Sequence, residues 1–351
     1  MRNILLINFS ESPENILLEQ LFVRICKKNS AKIDILHDYT NINHYQFKII
    51  ENNGFNHKYY DMKELLRIIN NKYYNLIFFI DLPKNKHSFI PYLYLLNRYN
   101  KCKYKIFYAN HLLPTSNGSI PIYNLMLKRN YFNNFDFLYI LKYDNILKYD
   151  NSKCKKIFVS DNKIILRDFT VDTYYYSPRK VKTEDYILSA GDGKRSYDTL
   201  IKAIGKQYKL RIYTDKFRPI NILKNYPEVE WINLSKNIFN LKEAILKSKL
   251  VVLPVRDKNL ACGNSIAFIS MALGKMVLCP DNSYYRKYIK DGYNGFLYRK
   301  LDEKEVKNKI IEIMNILDVL RTKIEKNARK TIIEKASNDS IVKEIFDVFV
   351  R

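Results

Sequence analysis

Cysteine is scarce and badly spaced for cross-linking. Cys26, Cys102, Cys154, Cys262 and Cys279 are odd in number and form no C-x-x-C pair, which argues against a disulfide framework or a zinc site and fits a reducing compartment. Glycine and proline are few, nine and ten in 351 residues, and no low-complexity tract is expected. The polar stretch 174–185, which contains Pro178, reads as an interdomain linker. No apolar run approaches the roughly 20 residues that cross a bilayer. The opening MRNILLINFS reads as a first buried strand and not as a signal peptide. No D-x-D triplet, a close carboxylate pair that can hold a divalent metal ion, occurs. The remaining histidines, His37, His44, His57 and His87, share no ligand spacing, so no metal site is expected.

Acidic residues are outnumbered, 36 against 60 Lys and Arg, for a net charge of +24. Two explanations stay open. One is attraction to anionic partners such as phosphorylated substrates or acidic lipid headgroups. The other is compositional bias, since Lys, Asn, Ile and Tyr are all abundant and the lysines are dispersed. Basic-aromatic stretches at 84–105 and 121–132 allow peripheral contact with an anionic membrane. No nucleic-acid module is recognisable, and nucleic acid is not expected as a partner.

What is present is alternation. Apolar runs at 4–8, 33–36, 76–80, 105–108, 137–140, 156–159 and 164–166 predict strands. Helical patterns fall at 14–28, 62–70, 89–100, 121–130 and 143–150. After a polar stretch the series restarts, with strands at 186–189, 210–213, 229–232, 250–254 and 276–279. Helices are predicted there at 197–205, 241–247, 265–273, 284–290, 303–327 and 338–349. Strand–helix alternation predicts parallel sheets covered on both faces. The expectation is an α/β protein of two Rossmann-like domains facing each other across a cleft. Their bounds are 1–175 and 176–335, with a final helix in 336–351 that packs back on the first.

Three segments of the second half carry chemistry. In 186-YILSAGDGKRSYDTLIKAI-204 a strand leads through a glycine turn, with Lys194 and Arg195, into a helix. Glycines admit close backbone approach, and a helix start with two cations favours a diphosphate. An ordinary strand–helix turn with a solvated basic pair fits the same residues. In 250-LVVLPVRDKNLACGNSIAFISMALGKMVLC-279 a buried strand leads to Gly263, Asn264, Ser265 and Ile266 at a helix start, whose free amides suit a phosphate. Asn264 or Ser265 capping its own helix fits equally. The third, 289-IKDGYNGFLY-298, reads as two tight turns.

Together these segments resemble the C-terminal domain of GT-B glycosyltransferases, most closely the large retaining family four, or group 1. The resemblance rests on 171-VDTYYYSP-178, 195-RSYDTLIKA-203, 270-SMALGKMVL-278 and 289-IKDGYNGFLY-298, in order and at family spacing. It implies that Gly191 forms the turn after the first strand and that Gly193, Lys194 and Arg195 meet the donor phosphates. It further implies that Gly263, Asn264, Ser265 and Ile266 offer donors to the diphosphate, and that Thr214 and Ser235 lie near the nucleoside. His111, after a strand of the first half, stands where the family places a histidine facing the donor sugar; an ordinary loop histidine fits too. The family's two glutamates are replaced by Ala261 and Ile269, and Ile269 cannot accept a hydrogen bond. The glycine-rich turn after the first strand is also missing.

The implied function is sugar transfer from a nucleotide-diphosphate sugar to a glycan, polysaccharide or lipid-linked acceptor, with retention and no cofactor or metal. The implied setting is bacterial cell-envelope glycan assembly, in the cytoplasm and peripheral at the inner membrane face. A catalytically silent GT-B partner subunit and a sugar-nucleotide epimerase or hydrolase of the same architecture are the alternatives.

Overall fold

The computed structural model describes residues 2–8, 13–37, 72–81, 93–108, 131–141, 163–216, 218–234, 236, 238–256 and 262–350. The chain divides into two compact units. One runs up to Asp172 and is joined by the segment from Asn338 onward; the other is Thr173–Ser337. The crossings fall at 172/173 and 337/338, against the expected 175/176 and 335/336.

The first unit holds a parallel sheet of β1 (Asn3–Asn8), β2 (Lys32–His37), β3 (Tyr74–Ile80), β4 (Cys102–Tyr108), β5 (Phe137–Leu141) and β6 (Ile164–Arg167), in the order β2-β1-β3-β4-β5-β6. The central strands are apolar along their length because both faces are covered: Ile4–Ile7 and Leu76–Phe79 are fully buried. Helix α1 (Pro13–Lys28) covers part of this sheet through Leu18, Leu21 and Phe22. The predicted strand at 156–159 and helices at 62–70, 121–130 and 143–150 lie outside the described residues. So do residues 121–130 of one basic-aromatic stretch and 84–92 of the other. Of the helix predicted at 89–100, the described part is helical over 93–97.

The second unit repeats the plan with β7 (Ile187–Ala190), β8 (Leu210–Tyr213), β9 (Val229–Ile232), β10 (Leu250–Val252), β11 (Val277–Pro280) and β12 (Phe296–Tyr298). All neighbours are parallel, in the order β12-β11-β10-β7-β8-β9. Its helices are α2 (Tyr197–Ile204), α3 (Ile220–Leu223), α4 (Ile238–Lys247), α5 (Asn264–Ala272), α6 (Ser283–Arg286), α7 (Glu303–Met314) and α8 (Asp318–Lys335). β12 was not expected: only three residues long, it lies inside a segment whose glycines signal turns. The single helix predicted over 303–327 is two helices, broken at Asn315–Leu317, where Leu317 takes an extended backbone. The helix predicted at 284–290 is the shorter α6, capped by Asn282, whose side chain accepts from the Tyr285 amide.

Packing here is apolar and continuous. Leu200, Ile201 and Ile204 of α2 meet Val306, Ile310 and Ile313 of α7 under β7, β8 and β10, each fully buried aliphatic side chain contributing about 1.5–3 kcal/mol of burial. Arg329 of α8 donates to the carbonyls of Thr173 at 2.7 Å, Tyr176 at 2.6 Å and Ala272 at 2.6 Å. One guanidinium thereby fastens the start of this unit to the end of α5. No described helix is long and apolar enough to cross a membrane.

The segment from Asn338 forms α9 (Asn338–Phe349), which packs on α1. Val342, Ile345, Phe346 and Phe349 join the core of the first unit. Phe349 stacks edge-on to Tyr104, ring centroids 5.2 Å apart.

Candidate active site

In the second unit the strand order reverses between β7 and β10. Crevices outside the carboxyl ends of strands at such a switch point are where doubly wound sheets bind ligands. β7 ends at Ala190 and its chain turns at Gly191, φ +102°. β10 leads through 253–256 towards Gly263, φ +94°, which caps α5. The two loops are stitched by backbone bonds, Ser196 N to Pro254 O at 2.7 Å and Arg256 N to Lys194 O at 2.9 Å. The Tyr298 hydroxyl steadies the second loop, donating to Leu253 O at 2.9 Å and accepting from Val255 N at 3.0 Å.

Arg195 lies where the loops meet. It is 5% exposed. Its Nε donates to Ala190 O at 3.2 Å and its Nη1 to Gly193 O at 2.8 Å. Its Nη2 lies against both glycines: a Cβ built on Gly191 would be 3.0 Å from that nitrogen, and one on Gly263 2.8 Å. Both positions also need left-handed backbone, so a side chain there meets strain and collision together.

Nη2 has no hydrogen-bond partner, and the guanidinium no carboxylate partner, among the described residues. The groups that feel its charge include the Cys279 thiol and the Tyr197, Tyr285 and Tyr298 phenols, all pushed up by burial and drawn down by Arg195. A buried cation without a counter-charge is costly. An anion settling against Nη2 removes that cost.

The start of α5 adds amides. Ala267 N donates to Gly263 O at 3.0 Å, and Ser265 N donates to Asn264 Oδ1 at 2.8 Å. Asn264 Nδ2 donates to Tyr284 at 3.3 Å. The Asn264 side chain therefore bonds within the loop and to Tyr284. The amides of Gly263, Asn264 and Ile266 have no partner among the described residues and stand at the positive end of a nine-residue helix.

Of the other expected residues, Gly193 is exposed and lends its carbonyl to Arg195. Lys194 is exposed in left-handed backbone, φ +47°. Thr214 points its hydroxyl at Asp192 Oδ1, which also accepts from Asp215 N at 2.8 Å, so it joins the β7 and β8 loops. Ile269 is buried on α5 and places hydrocarbon where the family has a carboxylate. His111, Ser235 and Ala261 lie outside the described residues. Two contributors had been missed. Asp192 had a signal, a carboxylate between two glycines; Tyr285, whose hydroxyl donates to Cys262 O at 2.8 Å, had none, because the contact spans 23 residues of chain.

Residues 180–331 match the family model described as glycosyl transferases group 1. The second unit is a group 1 glycosyltransferase domain. Across both units the chain has the GT-B glycosyltransferase fold. A glycosyltransferase from Rickettsia africae is similar at TM-score 0.66 and 14% identity, covering 99% of this chain and 97% of the other. HepE of Anabaena, in complex with UDP and glucose, is similar at TM-score 0.64 and 11% identity over 99% of each chain. TarM of S. aureus, in a complex that includes UDP, is similar at TM-score 0.64 and 13% identity over 100% of each. At these identities the likeness is one of fold. No curated protein matches the sequence. In the glycosyltransferase domain, the Arg195 cradle falls inside the matched range.

Proposed function

We propose that this glycosyltransferase takes a sugar from a nucleotide-diphosphate donor, with the diphosphate held at Arg195 and the start of α5. The observation that carries the reading is the buried Arg195 guanidinium, with one amino group against Gly263 at the helix start and no carboxylate partner among the described residues. UDP is the nucleotide favoured, because the similar HepE and TarM structures were solved with it. As the sugar departs, charge develops on the diphosphate oxygens, and fixed N–H groups aimed there stabilise it without reorganising. Arginine suits the role, since its planar fork stays charged and spans two oxygens. On this reading Arg195, Lys194 and the helix amides carry the leaving-group charge in place of a metal ion.

The finer reading follows the resemblance: retention at the anomeric carbon, a glycan, polysaccharide or lipid-linked acceptor, and envelope glycan assembly at the cytoplasmic face of a bacterial membrane. The excess of positive charge supports contact with acidic lipid headgroups. Ile269 supports a second reading, a silent partner subunit of the same fold. Calorimetric titration with UDP, GDP, ADP and CDP, on wild type and Arg195→Ala, separates them. Binding of one nucleotide, lost in the variant, supports the donor site; binding of none removes it and leaves the silent subunit.

A further inference from the structure

We propose that Asp192 is a specificity-determining residue of the donor site: one oxygen of its carboxylate accepts hydrogen bonds from the vicinal hydroxyls of the nucleotide's ribose. The site then selects ribonucleotides over deoxyribonucleotides. The proposal rests on the donor reading above, and it can fail while that reading stands.

Asp192 directly follows Gly191, so their Cα atoms are about 3.8 Å apart, and a Cβ on Gly191 would be 3.0 Å from Arg195 Nη2. The carboxylate is beside the cradle but turns to the loop after β8. Its Oδ1 accepts from the Thr214 hydroxyl and from Asp215 N, the latter at 2.8 Å. Lys216 of the same loop donates from Nζ to Arg195 O at 3.2 Å. Two donors therefore fix one carboxylate oxygen. The other, Oδ2, has no hydrogen-bond partner among the described residues, and Asp192 is exposed.

Tyr197 ties both charges to one place. Its hydroxyl donates to Gly191 O at 2.5 Å. Burial raises the phenol, Arg195 draws it down and Asp192 pushes it up, so guanidinium and carboxylate both act on a single ring.

A nucleotide whose diphosphate rests between the β7 and β10 loops has two ways to run along the sheet edge. Towards β11 and β12 the space is filled: Tyr298 reaches Leu253 and Val255, Tyr285 reaches Cys262, and both rings are fully buried. Towards β8 and β9 the edge is open, with Asp192, Asp215 and Lys216 exposed. Beyond them stands Trp231, the only tryptophan of the chain, half-buried on β9. Its ring meets Tyr197 edge-on, centroids 5.4 Å apart, and its Nε1 donates to Lys216 O at 3.3 Å. The nucleoside extends over the β8 loop, and the ribose, bonded directly to the diphosphate, passes Asp192 before the base reaches β9.

A ribose diol presents two O–H donors side by side, and a carboxylate oxygen has the lone pairs to take both. Such bonds to an ionised acceptor are the stronger kind. The opposite wall has no equivalent, because α5, NSIAFISMA, contains no carboxylate. Bracing Oδ1 on two donors leaves Oδ2 already oriented, which lowers the ordering cost when the hydroxyls arrive.

The test is calorimetric titration of the full chain with UDP, 2′-deoxy-UDP and 3′-deoxy-UDP, on wild type and Asp192→Asn. Asparagine keeps an oxygen for Thr214 and the Asp215 amide and replaces the other oxygen with an NH2 donor. Wild type should bind UDP about tenfold more tightly than either deoxy analogue, and the ratio should fall to about twofold or less in the variant. Equal affinity of wild type for all three nucleotides overturns the proposal and leaves the donor site standing. So does a variant that binds all three more weakly at an unchanged ratio, because that is the behaviour of a loop brace. Binding of none of the three by wild type removes the donor reading, and this proposal with it.

Discussion

Arg195 Nη2 packs so closely on Gly263 that a Cβ there would approach it to 2.8 Å, with the guanidinium carbon at 3.1 Å. The two residues come from loops that follow different strands, β7 and β10, so the contact fixes the helix start relative to the β7 turn. Gly263→Ala forces the guanidinium from its hydrogen bonds to Ala190 and Gly193 and strains a left-handed backbone. Calorimetry should show nucleotide affinity reduced about tenfold or more, equivalent to at least about 1.4 kcal/mol.

Lys194 is a lysine in left-handed backbone, φ +47°, a conformation that costs a non-glycine residue about 1–2 kcal/mol. Lys194→Gly should raise the melting temperature by about 2–4 °C. If Lys194 meets the donor phosphates, nucleotide affinity falls at the same time. Stability rising with affinity unchanged removes Lys194 from the donor site and leaves the strain unexplained by it.

Tyr285 is fully buried and its hydroxyl holds the Cys262 carbonyl at 2.8 Å. Tyr285→Phe keeps the shape of the ring and deletes that one bond. Chemical denaturation should show a loss of about 0.5–1.5 kcal/mol, accompanied by weaker nucleotide binding because the start of α5 is less firmly placed. A stability loss with no change in binding would separate the hydroxyl from the cradle.

Glu184 and Glu230 flank Arg211, which donates to Glu184 Oε2 at 3.1 Å and Glu230 Oε2 at 2.9 Å. Hydrogen bonding from Lys247, then Arg211, holds Glu184 below its ordinary value. At Glu230 burial pushes upward, but Lys209 and Arg211 outweigh it and the net shift is also downward. A depressed carboxylate stabilises the fold above its unfolded value, and the contribution disappears as pH falls through the folded one, below about 4. Melting temperatures followed downward from neutral pH should drop in that window, and Glu184→Gln or Glu230→Gln should shallow the drop.

How much of this was legible in the sequence differs by element. Strands such as LLIN at 5–8 and IFFI at 77–80 are readable because a parallel strand buried on both faces has no polar alternation to confuse it. β12 is hidden by the glycines before it, since a three-residue strand directly after Gly292 and Gly295 has no period to detect. The break between α7 and α8 is hidden because Ile316 and Leu317 continue the apolar pattern of the helices on either side. At the site, the turn carrying Arg195 could be read from one segment. That its guanidinium wedges between Gly191 and Gly263 could not, because the second glycine arrives from far along the chain through the pairing of β10 with β7.

The helix that finishes the first unit, α9, is made only after all of Thr173–Ser337. During synthesis the second unit is continuous and can close its core as soon as it has left the ribosome. The first unit, although its strands emerge earliest, waits with Tyr104 and the sheet beneath Phe349 uncovered until Val342, Ile345 and Phe346 arrive. The order of translation and the order of completion are therefore reversed, and the older half of the nascent chain is the one whose core closes last.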